Sequence, residues 1–146
     1  MDANAVREMI DEDRREWAKL TAMLDAHPEG ALHDPESLEW TARDVYTHIA
    51  HLMEGSVNQM QAKLAGQRVS NMYAGEDEDD VNTQVQQAHS ALSFDEARAW
   101  AQRSFEGMIA AIEAVPLERW NSELEFYARA DGAEHYRGHM SYIVAT

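Results

Sequence analysis

Cysteine is absent from this chain. Its absence excludes disulfides, a zinc–thiolate site and a thiol nucleophile of the protein's own, and it fits a reducing cytoplasm. Basic residues are few: 12 Lys and Arg stand against 27 Asp and Glu, a formal charge of −15. Such a chain repels phosphate backbones and anionic lipid surfaces, so nucleic acid and membrane are poor partners for it. No apolar run approaches the roughly 18 residues needed to span a bilayer. The start, Met1-Asp2-Ala3-Asn4, lacks the basic segment and apolar run of a signal peptide. No strand pattern of any length and no internal repeat can be found.

What is present is helical. Hydrophobic residues make up 45% of the 146, enough for one packed core and one expected domain, 1–146. From Asp2 to Ala26, apolar Val6, Met9, Ile10, Trp17, Leu20 and Leu24 form a helical stripe broken only by Asp13. Pro28 and Gly30 stop it. His27 and His33, in or beside the loop that follows, read as ordinary exposed histidines.

Thr41 with Asp44 forms a carboxylate capping box for a second helix, and Trp40 and Val45 are spaced as a hydrophobic staple. The stripe runs on through Ile49, Leu52, Met53, Met60 and Leu64, with Gly66 at the C-terminal stop. His48 borders this stripe, whereas His51 turns toward solvent. The acidic run ending at Asp80 lacks the ligand spacing of a calcium loop and reads as the approach to a helix N-terminus. Val81 to Val115 is helical with an interruption near Ser93, which forms a second capping box with Glu96; Pro116 ends it. Trp120, Leu124, Phe126 and Tyr127 are the apolar anchors of the next stretch. Asp131, with Glu134 three residues on, is the expected cap of the last helix, whose core residues are Tyr136, Met140, Ile143 and Val144. The expected fold is therefore all-α, a four-helix bundle with long connections.

His135 and His139 lie four apart on that last helix, so their Cβ atoms are about 5–6 Å apart on one face. Two such imidazoles can address one metal ion, and His48 is the candidate third ligand. Stripe borders meet where helices pack, which is where bundles build metal sites. Three imidazoles suit zinc, nickel or a similar divalent ion and leave coordination positions open. Asp44 is a candidate to orient His48, or simply the carboxylate at the helix start. Gly138 leaves room for a ligand, and Tyr142 is a candidate pocket wall. Arg129 and Arg137 either hold a carboxylate of a substrate or thiol, or are solvated surface arginines. Helical sequences also place two histidines four apart without any metal, so a metal-free bundle stays open at this point.

The stretch Trp40-Thr41-Ala42-Arg43-Asp44-Val45-Tyr46-Thr47-His48-Ile49-Ala50 resembles the second-helix signature of the DinB-like superfamily. Glu134-His135-Tyr136-Arg137-Gly138-His139 is similar to that family's last ligand motif. Asp79-Asp80-Val81-Asn82 and Leu92-Ser93-Phe94-Asp95-Glu96-Ala97 resemble the branch holding the ClbS/DfsB-like proteins and the mycothiol-dependent maleylpyruvate isomerase N-terminal domain. The resemblance implies a four-helix bundle, a homodimer, and a divalent metal held by His48, His135 and His139. For some members it implies thiol-dependent transferase or isomerase chemistry, with a low-molecular-weight thiol such as mycothiol or bacillithiol as co-substrate. For others it implies metal-linked hydrolysis or stress resistance. Two readings follow for this chain. One is a metal-dependent enzyme acting on a small electrophile, by S-transfer or hydrolysis. The other is a protein that binds and sequesters a small molecule without turnover.

Overall fold

In the computed structural model, residues 1–28, 40–69 and 77–143 are described, without the side chains of Glu78, Asp79 and Tyr142. Helix α1 spans Ala3–Asp25, and the Asp2 carboxylate caps it by accepting from the Ala5 amide at 2.8 Å. Met9, Trp17, Leu20 and Leu24 form its buried stripe, and Asp13 and Glu16 are buried with them. Helix α2, Ala42–Leu64, begins at the expected Thr41–Asp44 capping box, with Trp40 and Val45 both buried. Gly66 adopts φ +71°, and the amides of Gly66 and Gln67 donate back to the carbonyls of Lys63 and Ala62. A side chain is strained at that φ, which is why glycine ends the helix.

Helix α3, Glu78–Ala88, follows the acidic run, and the Asp77 carboxylate accepts from the Asp80 amide at its start. Helix α4, Phe94–Ala114, starts at the Ser93–Glu96 capping box. A short 3₁₀ turn, Leu117–Arg119, leads to α5, Ser122–Ala130, and α6, Ala133–Tyr142. Among the described residues the fold is all-α, with no β-strand element. The long helices α1, α2 and α4 are three members of the bundle, and α5 and α6 in succession make the fourth. Helix α4 packs on α2 and α1, α5 on α2, and α6 on α1, so the four members close a ring.

One aromatic side chain from each member meets at the centre. Trp17 of α1 stacks on Phe105 of α4, with centroids 4.9 Å apart and planes 4° apart. It also meets Tyr46 of α2 edge-on and Tyr136 of α6 at a tilt. Burying a large apolar side chain is worth about 1.5–3 kcal/mol, and aromatic pairing adds about 0.5–1.5 kcal/mol. This cluster therefore sets which helix faces turn inward.

Several expectations need correction. Asp131 is not the N-cap of the last helix; it is the C-cap of α5, with φ −117° and ψ 27°, and α6 begins after Gly132. An N-cap needs an extended backbone, which Asp131 lacks; the N-cap position falls on Gly132, which has no side chain to accept a hydrogen bond. The cap comes from α1, where Asp13 accepts from the Ala133 amide at 2.9 Å. Phe126 is not an anchor and is 67% exposed, because Leu124 and Ala128, one turn apart, form the inward face of α5. His51 is half-buried between Glu54 and His89 instead of solvent-facing, and burial lowers its pKa first, with His89 adding to the effect. His27 is likewise half-exposed, while His33, Val144 and the Tyr142 side chain lie outside the described residues.

Candidate metal centre

The site is assembled from two helix starts. The capping box at Thr41 fixes the first turn of α2, with the Thr41 amide donating to Asp44 Oδ2 at 3.1 Å. The other Asp44 oxygen takes the guanidinium of Arg43 at 2.5 Å, so this carboxylate is engaged at the helix start. One turn on, His48 is buried at 9% exposure beneath the Trp40 indole, with ring centroids 4.8 Å apart.

The second start is tertiary. Asp13 on α1 holds the first amide of α6, and Gly132 allows the approach: a Cβ there would sit 2.7 Å from Asp13 Oδ1. Tyr136 is fully buried among the central aromatics and donates its hydroxyl to Met53 Sδ at 3.3 Å. With the N-terminus and Tyr136 pinned, the rotation of α6 about its axis is set. The face carrying His135 and His139 then points at α2.

The three histidines meet. One nitrogen from each lies within 4.8 Å of the others. His135 Nε2 and His139 Nε2 are 3.0 Å apart. The rings stand edge-on to one another, at 61°, 64° and 72°, so their nitrogens converge and their faces do not stack. Two nitrogens each about 2.0–2.1 Å from one divalent ion, at octahedral to tetrahedral angles, are about 2.9–3.4 Å apart. The His135–His139 pair already has that spacing. The donor set fits an ion such as zinc or nickel, since neutral imidazole suits both and three protein ligands leave positions open.

His135 must be neutral to serve, and burial lowers its pKa to about 4. Its Nδ1 atom is shut off from solvent and has no hydrogen-bond partner. The nearest acid is Asp131, whose Oδ1 lies 3.8 Å from that nitrogen. Burial raises the Asp131 pKa to about 6, against the lowering effect of a hydrogen bond from Ser56. In the sequence, the signal of this proximity is the place of Asp131 four residues before His135; its cap-like position hides it, because the two residues lie on either side of the α5–α6 break.

Of the remaining candidates, Gly138 is half-buried, and a Cβ added there would meet nothing within 4 Å. Arg137 pairs with Glu12 at 2.7 Å and Glu16 at 3.4 Å, and Arg129 pairs with Glu125 at 3.0 Å. Both guanidiniums therefore serve the protein's own carboxylates.

The family model of the DinB superfamily matches residues 12–146, nearly the whole chain. The chain belongs to the DinB superfamily. Among the curated proteins none matches it. The crystal structure of an uncharacterised protein from Escherichia coli UTI89 is similar, with a TM-score of 0.70 over 94% of this chain and 91% of that one. At 13% identity that likeness speaks for the fold alone. Members of the DinB superfamily typically bind metal, and this chain carries a histidine cluster in the bundle.

Proposed function

We propose that His48, His135 and His139 hold one divalent metal ion, and that the site belongs to an enzyme acting on a small electrophile by thiol transfer or hydrolysis. The observation that carries this reading is the convergence of three histidine nitrogens, two of them at the 3.0 Å spacing of shared ligands. A divalent ion held there would act as a Lewis acid and lower the pKa of a water or thiol bound to it. The chain's own residues supply the rest. His48, His135 and His139 orient the ion, and Trp40 covers His48 from bulk water. The space over Gly138 is open. The protein has no cysteine, so any sulfur nucleophile must enter as a low-molecular-weight thiol such as mycothiol or bacillithiol. A charge of −15 disfavours polyanionic partners, and among the described residues no helix is long and apolar enough to cross a membrane. A homodimer, as the sequence resemblance implies, and a cytoplasmic setting, which the lack of cysteine fits, complete the reading.

Elemental analysis of the purified protein, beside His48→Ala and His135→Ala, tests the site. The expected result is about one ion per chain, lost in both variants. Full retention in the variants sinks the site. Turnover of a panel of electrophiles by the metal-loaded protein, with and without thiol, then tests the activity. Stoichiometric binding without turnover would replace the enzyme with a sequestering protein.

A further inference from the structure

We propose that Ser56 and Asp131 are positioning residues that fix the tautomer and orientation of His135, an inference resting on the reading that the triad binds metal. The argument starts from the ring. His135 presents Nε2 toward His139, so Nε2 is its ligating atom. A neutral imidazole that gives its Nε2 lone pair to an ion carries its proton on Nδ1. In this fold Nδ1 is out of reach of solvent and has no partner. A buried N–H left unpaired loses its hydration without return, so metal binding on Nε2 alone would be penalised.

Asp131 answers that need. Its Oδ1 lies 3.8 Å from Nδ1, and Asp131 stands four residues before His135, across the α5–α6 break. Its Oδ2 accepts from the Ser56 hydroxyl, and Ser56 is a buried residue of α2, the helix that also supplies His48. The carboxylate is thus anchored on one oxygen and presents the other to the imidazole. With the proton on Nδ1, an approach of somewhat under about 1 Å by the Asp131 carboxylate closes the gap to a hydrogen bond from Nδ1–H to Oδ1. Asp131 is not itself among the converging ligand atoms, a group made up of the three histidines. Asp131 sits at the break between α5 and α6, and its carboxylate contacts Ser56 and lies near His135. A continuous helix cap at Asp131 would spend the same side chain on backbone amides. Carboxylates that hold a ligand histidine in this way typically contribute 10–100-fold to metal affinity.

The test uses the full chain, wild type, Asp131→Asn and Ser56→Ala, with zinc as the probe. Zinc affinity is measured by competition with a chromophoric chelator at pH 7. The His135 Nδ1–H proton is followed by NMR of zinc-loaded protein with ¹⁵N-labelled histidine. Thermal unfolding of the zinc-free variants checks that they fold, and Ser56→Ala carries the test if Asp131→Asn does not. The expected result is a roughly 10–100-fold weaker zinc affinity for Asp131→Asn and a smaller loss for Ser56→Ala. The downfield Nδ1–H resonance of wild type should be lost or moved upfield in Asp131→Asn. Unchanged affinity in both variants overturns the proposal, and so does weaker affinity with an unchanged Nδ1–H resonance. If wild type itself binds no zinc, the metal-site reading fails first; if wild type binds and the variants match it, only the positioning role fails.

Discussion

Asp13 Oδ1 accepts the amide hydrogen of Ala133 at 2.9 Å, joining the middle of α1 to the first turn of the helix that carries two of the three clustered histidines. Asp13 is buried at the bundle interior, and its other oxygen has no hydrogen-bond partner. This residue interrupts the apolar stripe of α1, and its position is explained by the helix end it caps.

Removing the cap should therefore loosen α6. Asp13→Ala is expected to cost about 0.5–2 kcal/mol, the range for losing a side-chain cap. Gly132→Ala should also destabilise, because its Cβ would displace the Asp13 carboxylate from 2.7 Å. Urea unfolding at about pH 4, where the folded state holds Asp13 protonated, measures both free of the cost of burying its charge. Wild-type stability in either variant would mean that the Asp13–Ala133 bond does not organise this end of the bundle.

Asp13 also carries a pH signature. Burial, outweighing the Ala133 hydrogen bond, raises its pKa from the usual 3.8 to about 6. The folded state then holds this proton more tightly than the unfolded chain, so stability from this group is greatest below about pH 4 and falls as pH rises to about 6. The full loss is about 3 kcal/mol, from 1.36 kcal/mol for each pKa unit. Asp13→Asn lacks the charge, and its amide oxygen can still accept from Ala133. The stability of Asp13→Asn relative to wild type should rise by up to about 3 kcal/mol between pH 4 and 7. Chelator-treated proteins unfolded in urea across that range supply the measurement, and a flat difference would refute the assignment.

Metal should stabilise the fold if the triad binds it. A ligand that binds only the folded state at a hundred times its Kd adds about 2.7 kcal/mol. Zinc is expected to raise the Tm of wild type reversibly, with chelator reversing the gain. His139→Ala should remove the zinc-dependent part of that shift. An equal zinc response in wild type and His139→Ala would place the ion elsewhere.

Gly138 tests the space beside the cluster. No atom lies within 4 Å of a Cβ built there, so Gly138→Ala should fold normally and gain up to about 1 kcal/mol of helix propensity. If a substrate enters over Gly138, the same substitution should weaken its binding while leaving zinc affinity unchanged. Circular dichroism melts and ligand titration separate the two effects. A variant that is more stable and fully active would show that the ligand approaches from another side.

Much of the bundle was legible in the sequence because helix starts and stops are local. The boxes at Thr41–Asp44 and Ser93–Glu96 close within one turn, and Gly66 ends α2 through backbone geometry of its own. The same locality makes His135 and His139 neighbours, since i and i+4 share a face of any helix. The border position of His48 followed from the stripe beside it. Its meeting with the other two depends on how α6 packs, yet the sequence reading proposed that trio and the structure brings it together.

Contacts a few residues apart thus set the helices, their apolar faces and the spacing of the histidine pair. Tertiary structure alone decided the break at Asp131–Gly132, the capping of α6 by Asp13 and the placing of Asp131 between Ser56 and His135. An aspartate two residues before a helix reads locally as a cap. Here a buried carboxylate from another helix takes that task, because packing brings Asp13 to an amide that is 120 residues away along the chain. No pattern of neighbouring residues encodes such a pairing; it arises when the central aromatic cluster fixes how α1 and α6 are rotated against each other.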